Sequence, residues 1–382
     1  MGQLCLMLKN KMRIVFGACI YFITRFLLFF PMRWFRGFGS NLGESNVSVL
    51  AIESGSKGWG LIEYEELLAS AEEFFESKNV VKVTIESSKT YLSTVKMALK
   101  EARITHYFFD PRTGSQNFFL SLIQTFLLAV MLQRRGVIPI ARLTDLPMIR
   151  WRFQCILLTS FNGVCVCVMS RKCIGGRIPH DRIVGPALMA LSKGRLRKLI
   201  SEKQEINPTA KPRVVFVGAM YEPRTSFILE LKKELCDRNI EIQLFTRELG
   251  EQRSTSEIYW DRLVTADIIF TTAFVLYERG MEHFDELHLG YRYTEACAAG
   301  ALLIAQDVDG LENVLISGRD FMSYKSVIDA ANQIEKAYKD KNLLRDIARN
   351  GTDAITREVM GDTYWLNIDK VLGNTGFVRS NV

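Results

Sequence analysis

Two hydrophobic periods take turns along this chain. VSVLAIE (47–53) alternates and then runs apolar, as a first strand does, and the glycine-rich turn GSKGWG (55–60) follows it. IEYEELLASAEEFFES (62–77) carries leucines and aromatics at helical spacing. The pattern then predicts a strand at 80–87, a helix at 91–102, a strand at 104–111 and a helix at 117–136 ended by Gly136. A strand at 137–145, a helix near 147–158 and a strand at 161–170 complete this half. After a charged stretch, INPTAKP marks a linker at 203–212. RVVFVGAM (213–220) opens a second series: helix 226–239, strand 240–246, helix or turn 259–266 and strand 267–274. Helices at 326–338, with Ser326 as N-cap, at 342–356 and at 363–373 close the chain. Strands and helices alternating about every 20–25 residues imply right-handed βαβ units and parallel sheets.

The second series is organised around HLGYRYTEACAAGALLIAQDVDGLENVLISGRDFMSY (288–324). YTEACAA (293–299) is a helix small enough to pack tightly on a sheet, and Gly300 stands where a helix end favours positive φ. ALLIA (301–305) is a continuous apolar run, the signature of a parallel strand buried on both faces. Ligands of open α/β sheets bind outside the carboxyl ends of the strands. The start of the 293–299 helix, beside Arg292 and Glu295, is therefore a candidate site for a phosphorylated, hydroxyl-rich ligand. A carboxylate there is able to accept from two adjacent hydroxyls such as a ribose diol.

At 382 residues the chain is long enough for two domains, each with its own core. The formal charge of +7 suits an anionic lipid or nucleotide partner as well as plain solubility, but the basic residues form no tract and match no nucleic-acid motif, which argues against nucleic acid. Eight cysteines include no C-x-x-C pair, and His is scarce, so zinc is not expected. Apolar neighbours around Cys155, Cys165, Cys167 and Cys297 predict reduced, buried thiols in a reducing compartment. Asp307 and Asp309 imitate a D-x-D metal motif but lie in a loop, and no metal site is expected there.

Residues 14–30 (IVFGACIYFITRFLLFF) are the most hydrophobic stretch, with Lys9, Lys11 and Arg13 before them and Arg33 and Arg36 after. As a helix they would extend about 26 Å, barely the hydrocarbon thickness, and Arg25 lies inside. A signal peptide is a further reading, although no convincing small-residue cleavage site follows Pro31. The pattern favours a membrane-associated helix, with a spanning anchor and a helix buried in the protein as alternatives.

Arg292, Glu295, Ala296, Ala298, Gly300, Ala301, Leu302 and Leu303, then Gly310, Glu312, Gly318, Asp320, Phe321 and Tyr324, form an ordered set that resembles the CgeB-like (spore-maturation type) branch of the GT-B glycosyltransferases. The resemblance implies two Rossmann-like α/β domains facing each other across a cleft, behind an N-terminal hydrophobic segment (1–43). An acceptor-side domain would span 44–205, a nucleotide-sugar domain 206–360, and a terminal helix and tail crossing back to the first domain 361–382. It implies a metal-independent, hexosyltransferase-like enzyme without cofactor. Such an enzyme moves sugar from a nucleotide-diphosphate donor to a glycan or glycolipid hydroxyl, in the cytoplasm at a membrane surface. The alternatives are a catalytically inactive GT-B-like binder and an epimerase of the same form.

Within that frame FVGAMYEPR (216–224) is a candidate diphosphate site. Gly218 leaves room for phosphate to approach backbone amides, and Arg224 is able to pair with it bidentately. Glu295 sits in the context of the ribose-binding glutamate of retaining relatives, but the first glutamate of their E-x7-E motif is Leu287 here, which leaves retaining against inverting open. Arg292 is a candidate phosphate ligand or a partner of Glu295 one turn away, and Tyr293 a candidate donor contact or packing residue. On the acceptor side Glu53, Ser54, Trp59 and His180 are candidates to bond or stack on a sugar. Asp110 and Asp145 each end a strand at one edge, and either is a candidate base for the acceptor hydroxyl or a cap for the following turn.

Overall fold

The computed structural model describes residues 49–55, 61–143, 149–160, 163–167, 178, 180–203, 210–247, 255–274 and 287–373. The hydrophobic segment 14–30 lies outside the described residues. Among the described residues no helix is long and apolar enough to cross a membrane.

The first series folds as expected into strand–helix repeats: β1 (Leu50–Gly55), α1 (Leu61–Phe75), β2 (Val80–Ile85), α2 (Tyr91–Glu101), β3 (His106–Phe109), α3 (Phe118–Gln133), β4 (Ile138–Leu143), α4 (Ile149–Thr159) and β5 (Val164–Cys167). A two-residue strand, β6 (Ile183–Val184), was not visible in the hydrophobic pattern. The six strands form one parallel sheet in the order β2-β1-β3-β4-β5-β6. Alternate residues feed two cores. Ala51, Tyr107, Phe109, Ala141 and Cys165 meet α2, α3 and α4 on one face. Leu50, Ile52, Phe108, Ile140 and Val166 meet α1 on the other.

The second series gives β7 (Val214–Ala219), α6 (Arg224–Asp237), β8 (Ile242–Arg247), α7 (Ser256–Val264), β9 (Ile268–Phe270), α8 (Arg292–Ala298), β10 (Leu302–Gln306), β11 (Met322–Tyr324), α9 (Val327–Lys339) and α10 (Lys341–Met360), with α5 (Lys193–Glu202) before it and α11 (Thr363–Leu372) after it. Its five strands are again all parallel, ordered β11-β10-β9-β7-β8. Leu196 and Leu199 of α5 are buried with Val215, Trp260 and Leu303, so α5 packs with the second lobe although it precedes the predicted linker. Lys203 anchors that junction. Its ammonium donates to the carbonyls of Val264 (3.2 Å) and Ala266 (2.5 Å) at the end of α7, and its stem covers Gly300, whose φ is +71°.

The terminal helix α11 returns to the first lobe. Trp365 and Ile368 are buried with Phe75, Phe108 and Val184, and the Trp365 indole N–H donates to Ser70 Oγ at 3.2 Å. Cys155, Cys165, Cys167 and Cys297 are buried free thiols, as their apolar neighbours predict.

Candidate functional site

In an open parallel sheet the binding crevice lies at the carboxyl ends of the two strands where the order reverses. In the second sheet those strands are β7 and β9, neighbours in the ladder although β8 separates them in sequence. Arg224, the first residue of α6, lies across this point. Its Nε donates to Thr272 Oγ1 (2.8 Å), Nη2 to the Thr272 carbonyl (3.4 Å) and Nη1 to the Ala219 carbonyl (3.3 Å), and its guanidinium stacks 4.2 Å from the Tyr221 ring. The surrounding strand ends are tied together: Tyr221 Oη donates to the Phe274 carbonyl, Ala273 N–H to Gln306 Oε1, and Tyr324 Oη to the Thr271 carbonyl. Gly218 is not in a turn as expected but inside β7, opposite Thr246. A Cβ there would come 3.0 Å from the Phe216 ring and 3.7 Å from Arg224 Nη1, so the missing side chain makes room for those two groups.

At the start of α8 the Glu295 carboxylate is 2% exposed and accepts from Arg292 Nη1 at 2.6 Å. Arg292 also bonds the Tyr259 hydroxyl, and its guanidinium lies over that ring. The two residues thus form one ion pair, with Glu295 buried and Arg292 partly so, the second of the two readings of Arg292. Tyr293 is fully buried, against the reading of it as a donor contact. Its hydroxyl donates to the Gln306 carbonyl at 2.5 Å and its ring meets Phe321 edge-on, so packing claims it.

In the first sheet the order reverses between β1 and β3. Glu53, expected to face an acceptor, is 1% exposed. Tyr91 Oη (2.5 Å) and Tyr107 Oη (2.6 Å) donate to its Oε1, and Thr113 Oγ1 (2.7 Å) and Asp110 N–H (3.2 Å) to its Oε2. All four bonds are internal, which leaves no room for a sugar hydroxyl and corrects that reading. Burial pushes its pKa up to about 7 against those four donors. Ser54 is likewise buried, at 5% exposure, and is no open acceptor contact.

Asp110 follows β3 at the edge expected, but Arg112 holds it in a fork, Nε to Oδ1 at 2.9 Å and Nη2 to Oδ2 at 2.6 Å. Burial works to raise the Asp110 pKa, yet Arg112 and then Arg142 outweigh it and hold the carboxyl below its usual range. A carboxylate so held is a weak base, which counts against Asp110 as the proton acceptor. Arg112 also bonds Glu63 Oε2 at 3.0 Å. Arg142 is 6% exposed, with Nη1 3.9 Å from Asp110 Oδ2 and its guanidinium 5.0 Å from the Tyr291 ring across the interlobe boundary.

Arg112 and Arg142 escaped the sequence reading, although each carried a signal: an arginine two residues after a strand-end aspartate, and a lone arginine inside the apolar run of a buried strand. Asp145 and Trp59 lie outside the described residues. His180 opens a one-turn helix at the amino end of β6, away from the carboxyl edge where the cleft should lie. A cavity of about 440 Å³ lies between the lobes beside the segment Val184–Leu191, Gly310, Asn313 and Tyr364. Thr294, Gly310 and Asn313 line it, but Arg224, Arg292 and Glu295 do not. No group of three or more His, Cys, Asp or Glu that could hold a metal ion occurs among the described residues.

Residues 255–362 match the family model described as glycosyl transferase-like. No curated protein matches the chain. Among solved structures, HepE of Anabaena in complex with UDP and glucose is 11% identical, covers 83% of this chain and 99% of its own, and superposes with a TM-score of 0.50. A glycosyltransferase from Rickettsia africae is 15% identical over 86% of this chain and 100% of its own, with a TM-score of 0.49. The chain therefore has the fold of HepE, two parallel-sheet Rossmann-like lobes as the resemblance implied, and over residues 255–362 the sequence pattern of glycosyl transferase-like proteins.

Proposed function

We propose that this chain is a CgeB-like glycosyltransferase of GT-B form, moving a sugar from a nucleoside diphosphate sugar to the hydroxyl of a cell-envelope glycan or glycolipid. The observation that carries the reading is Arg224, a cation built into the switch point of the second sheet, inside a lobe whose residues from 255 onward match the glycosyl transferase-like pattern. In the reaction the bond from the sugar C1 to the diphosphate breaks, a bond from C1 to the acceptor oxygen forms, and the acceptor proton passes to a base. Negative charge develops on the departing diphosphate, and Arg224 stands where a fixed cation lowers that barrier. Glu295 would take the ribose diol, with Arg292 turning from the carboxylate toward phosphate. Asp145 is the base proposed, because Asp110 is engaged by Arg112.

The second reading, a nucleotide or glycan binder without turnover, is favoured by Leu287 where retaining relatives carry a glutamate. Calorimetry with UDP and GDP, followed by hydrolysis of a panel of UDP- and GDP-sugars, separates the two. Turnover abolished by Asp145→Asn supports the transferase, and binding without turnover of any donor or acceptor supports the binder. No binding of either nucleotide removes the transferase and the nucleotide binder.

The site of action is proposed to be the cytoplasmic face of a membrane. Residues 14–30 support it through their composition, and so do Leu120, Ile123 and Leu127 on α3, each about half exposed. Co-sedimentation of the full chain with anionic vesicles, and its loss in residues 44–382, is the expected result.

A further inference from the structure

His288 lies between β9 and α8, where an antiparallel bridge pairs Phe274 with Leu287 and the His288 N–H donates to the Ala273 carbonyl at 3.0 Å. That bond fixes the residue beside Thr272, the partner of Arg224. The ring folds back over Gly290, placing Nε2 3.8 Å from where a Cβ would stand. Its Nδ1 is buried and has no hydrogen-bond partner. Three residues on, the Tyr291 hydroxyl is in the same condition. Buried polar atoms are almost always paired, so an orphaned imidazole nitrogen near the Arg224 guanidinium marks a place a ligand completes, whereas the Tyr291 ring lies against Arg142 of the first lobe.

The neighbourhood selects the ligand. Burial first, and then the nearby Arg224 charge, push the His288 pKa down to about 4, so the imidazole is neutral at pH 7 and keeps one N–H to donate. A guanidinium and a neutral imidazole N–H both offer donors to an anionic oxygen. We infer that His288 donates from Nδ1 to a phosphoryl oxygen of the nucleoside diphosphate beside Arg224. The inference rests on the proposed reading of this crevice and adds to it a residue that completes the diphosphate subsite. Neutral donors suit a leaving group that must be released afterwards, because they hold the oxygens without adding a second full charge.

The test uses the full chain, with UDP, GDP and inorganic pyrophosphate as probes in calorimetry. Asn carries an amide N–H where His has Nδ1, and Gln carries one where His has Nε2. His288→Ala and His288→Gln should weaken binding of the better nucleotide about 10-fold or more, the range of a hydrogen bond to a charged group, and His288→Asn should restore most of it. Wild-type affinity in all three variants overturns the inference. So does rescue by Gln rather than Asn, or equal weakening in all three accompanied by lower melting temperatures, which marks a packing role. Arg224→Ala separates the two levels. If it abolishes binding while His288→Ala does not, only the His288 assignment falls. If the wild type binds none of the probes, the reading of the crevice falls as well.

Discussion

The guanidinium of Arg142, at the end of a first-lobe strand, lies 5.0 Å from the ring of Tyr291, at the start of a second-lobe helix. Asp110 holds Arg142 from behind at 3.9 Å, and Arg112 holds Asp110. The charge that reaches across the boundary is therefore braced by its own lobe. A partly desolvated contact of this kind is worth about 0.5–2 kcal/mol. If it favours the closed arrangement, Arg142→Ala lowers the kcat of donor hydrolysis about 2- to 30-fold, that energy converted to a rate. Unchanged turnover would mean the contact does nothing for closure.

Glu295 and Tyr293 are two positions apart and should behave oppositely. In wild type UDP should bind more tightly than 2′-deoxy-UDP, and Glu295→Gln should erase that preference, because the diol loses its charged acceptor. Tyr293→Phe should leave both affinities alone and cost about 1 kcal/mol of stability, the buried hydroxyl and the Gln306 carbonyl losing each other. A preference for UDP that survives in Glu295→Gln removes that residue from the ribose.

Stability should fall as pH rises through neutrality. Glu53 has a folded pKa of about 7 against an ordinary 4.5. A group whose folded pKa is raised lends stability that is complete below the unfolded pKa and is lost as pH climbs through the folded one. The window is therefore about pH 4.5 to 7, and the full loss is about 3 kcal/mol. Urea midpoints measured from pH 5 to pH 8 should decline in wild type and stay level in Glu53→Gln, whatever the variant's absolute stability. A level wild-type profile rules this out.

Gly351, midway along α10, lies against the loop before β11. A Cβ there would come 2.4 Å from the Asp320 carbonyl and 3.1 Å from Cys297 Sγ. Gly351→Ala gains helix propensity but must separate α10 from that loop, and overpacking of this kind costs about 1–3 kcal/mol. A net loss in urea unfolding is expected. A gain would show that the loop yields freely.

The fold was legible because strands buried on both faces read as short apolar runs, and the helices between them, apart from the apolar but longer α3, do not. ALLIA and the small residues of YTEACAA landed where expected, in β10 and α8. The family pattern around Asp320, Phe321 and Tyr324 was legible too, but its work is structural. Asp320 accepts from the Ile316 N–H, Phe321 is fully buried against Tyr293, and Tyr324 reaches the Thr271 carbonyl. The site was less legible because each role depends on which strands become neighbours. Glu53 looked like an open strand-end carboxylate until α2 and β3 brought Tyr91 and Tyr107 onto it. Asp110 looked like a base until its own chain turned Arg112 back. β6 and β11 are too short to show a period, and α5 could not be given a lobe without knowing what covers Leu196.

The polypeptide passes from the first lobe to the second through residues 185–192, where Met189 N–H bonds Thr294 Oγ1, and comes back through α11, where Lys193 and Asp362 link the two crossings by an ion pair at 2.7 Å. Two pivots pinned side by side leave the halves one easy degree of freedom, a swing about the line joining them. Shear or twist would have to break Lys193 from Asp362. The jaws can therefore part and meet many times while returning to the same alignment.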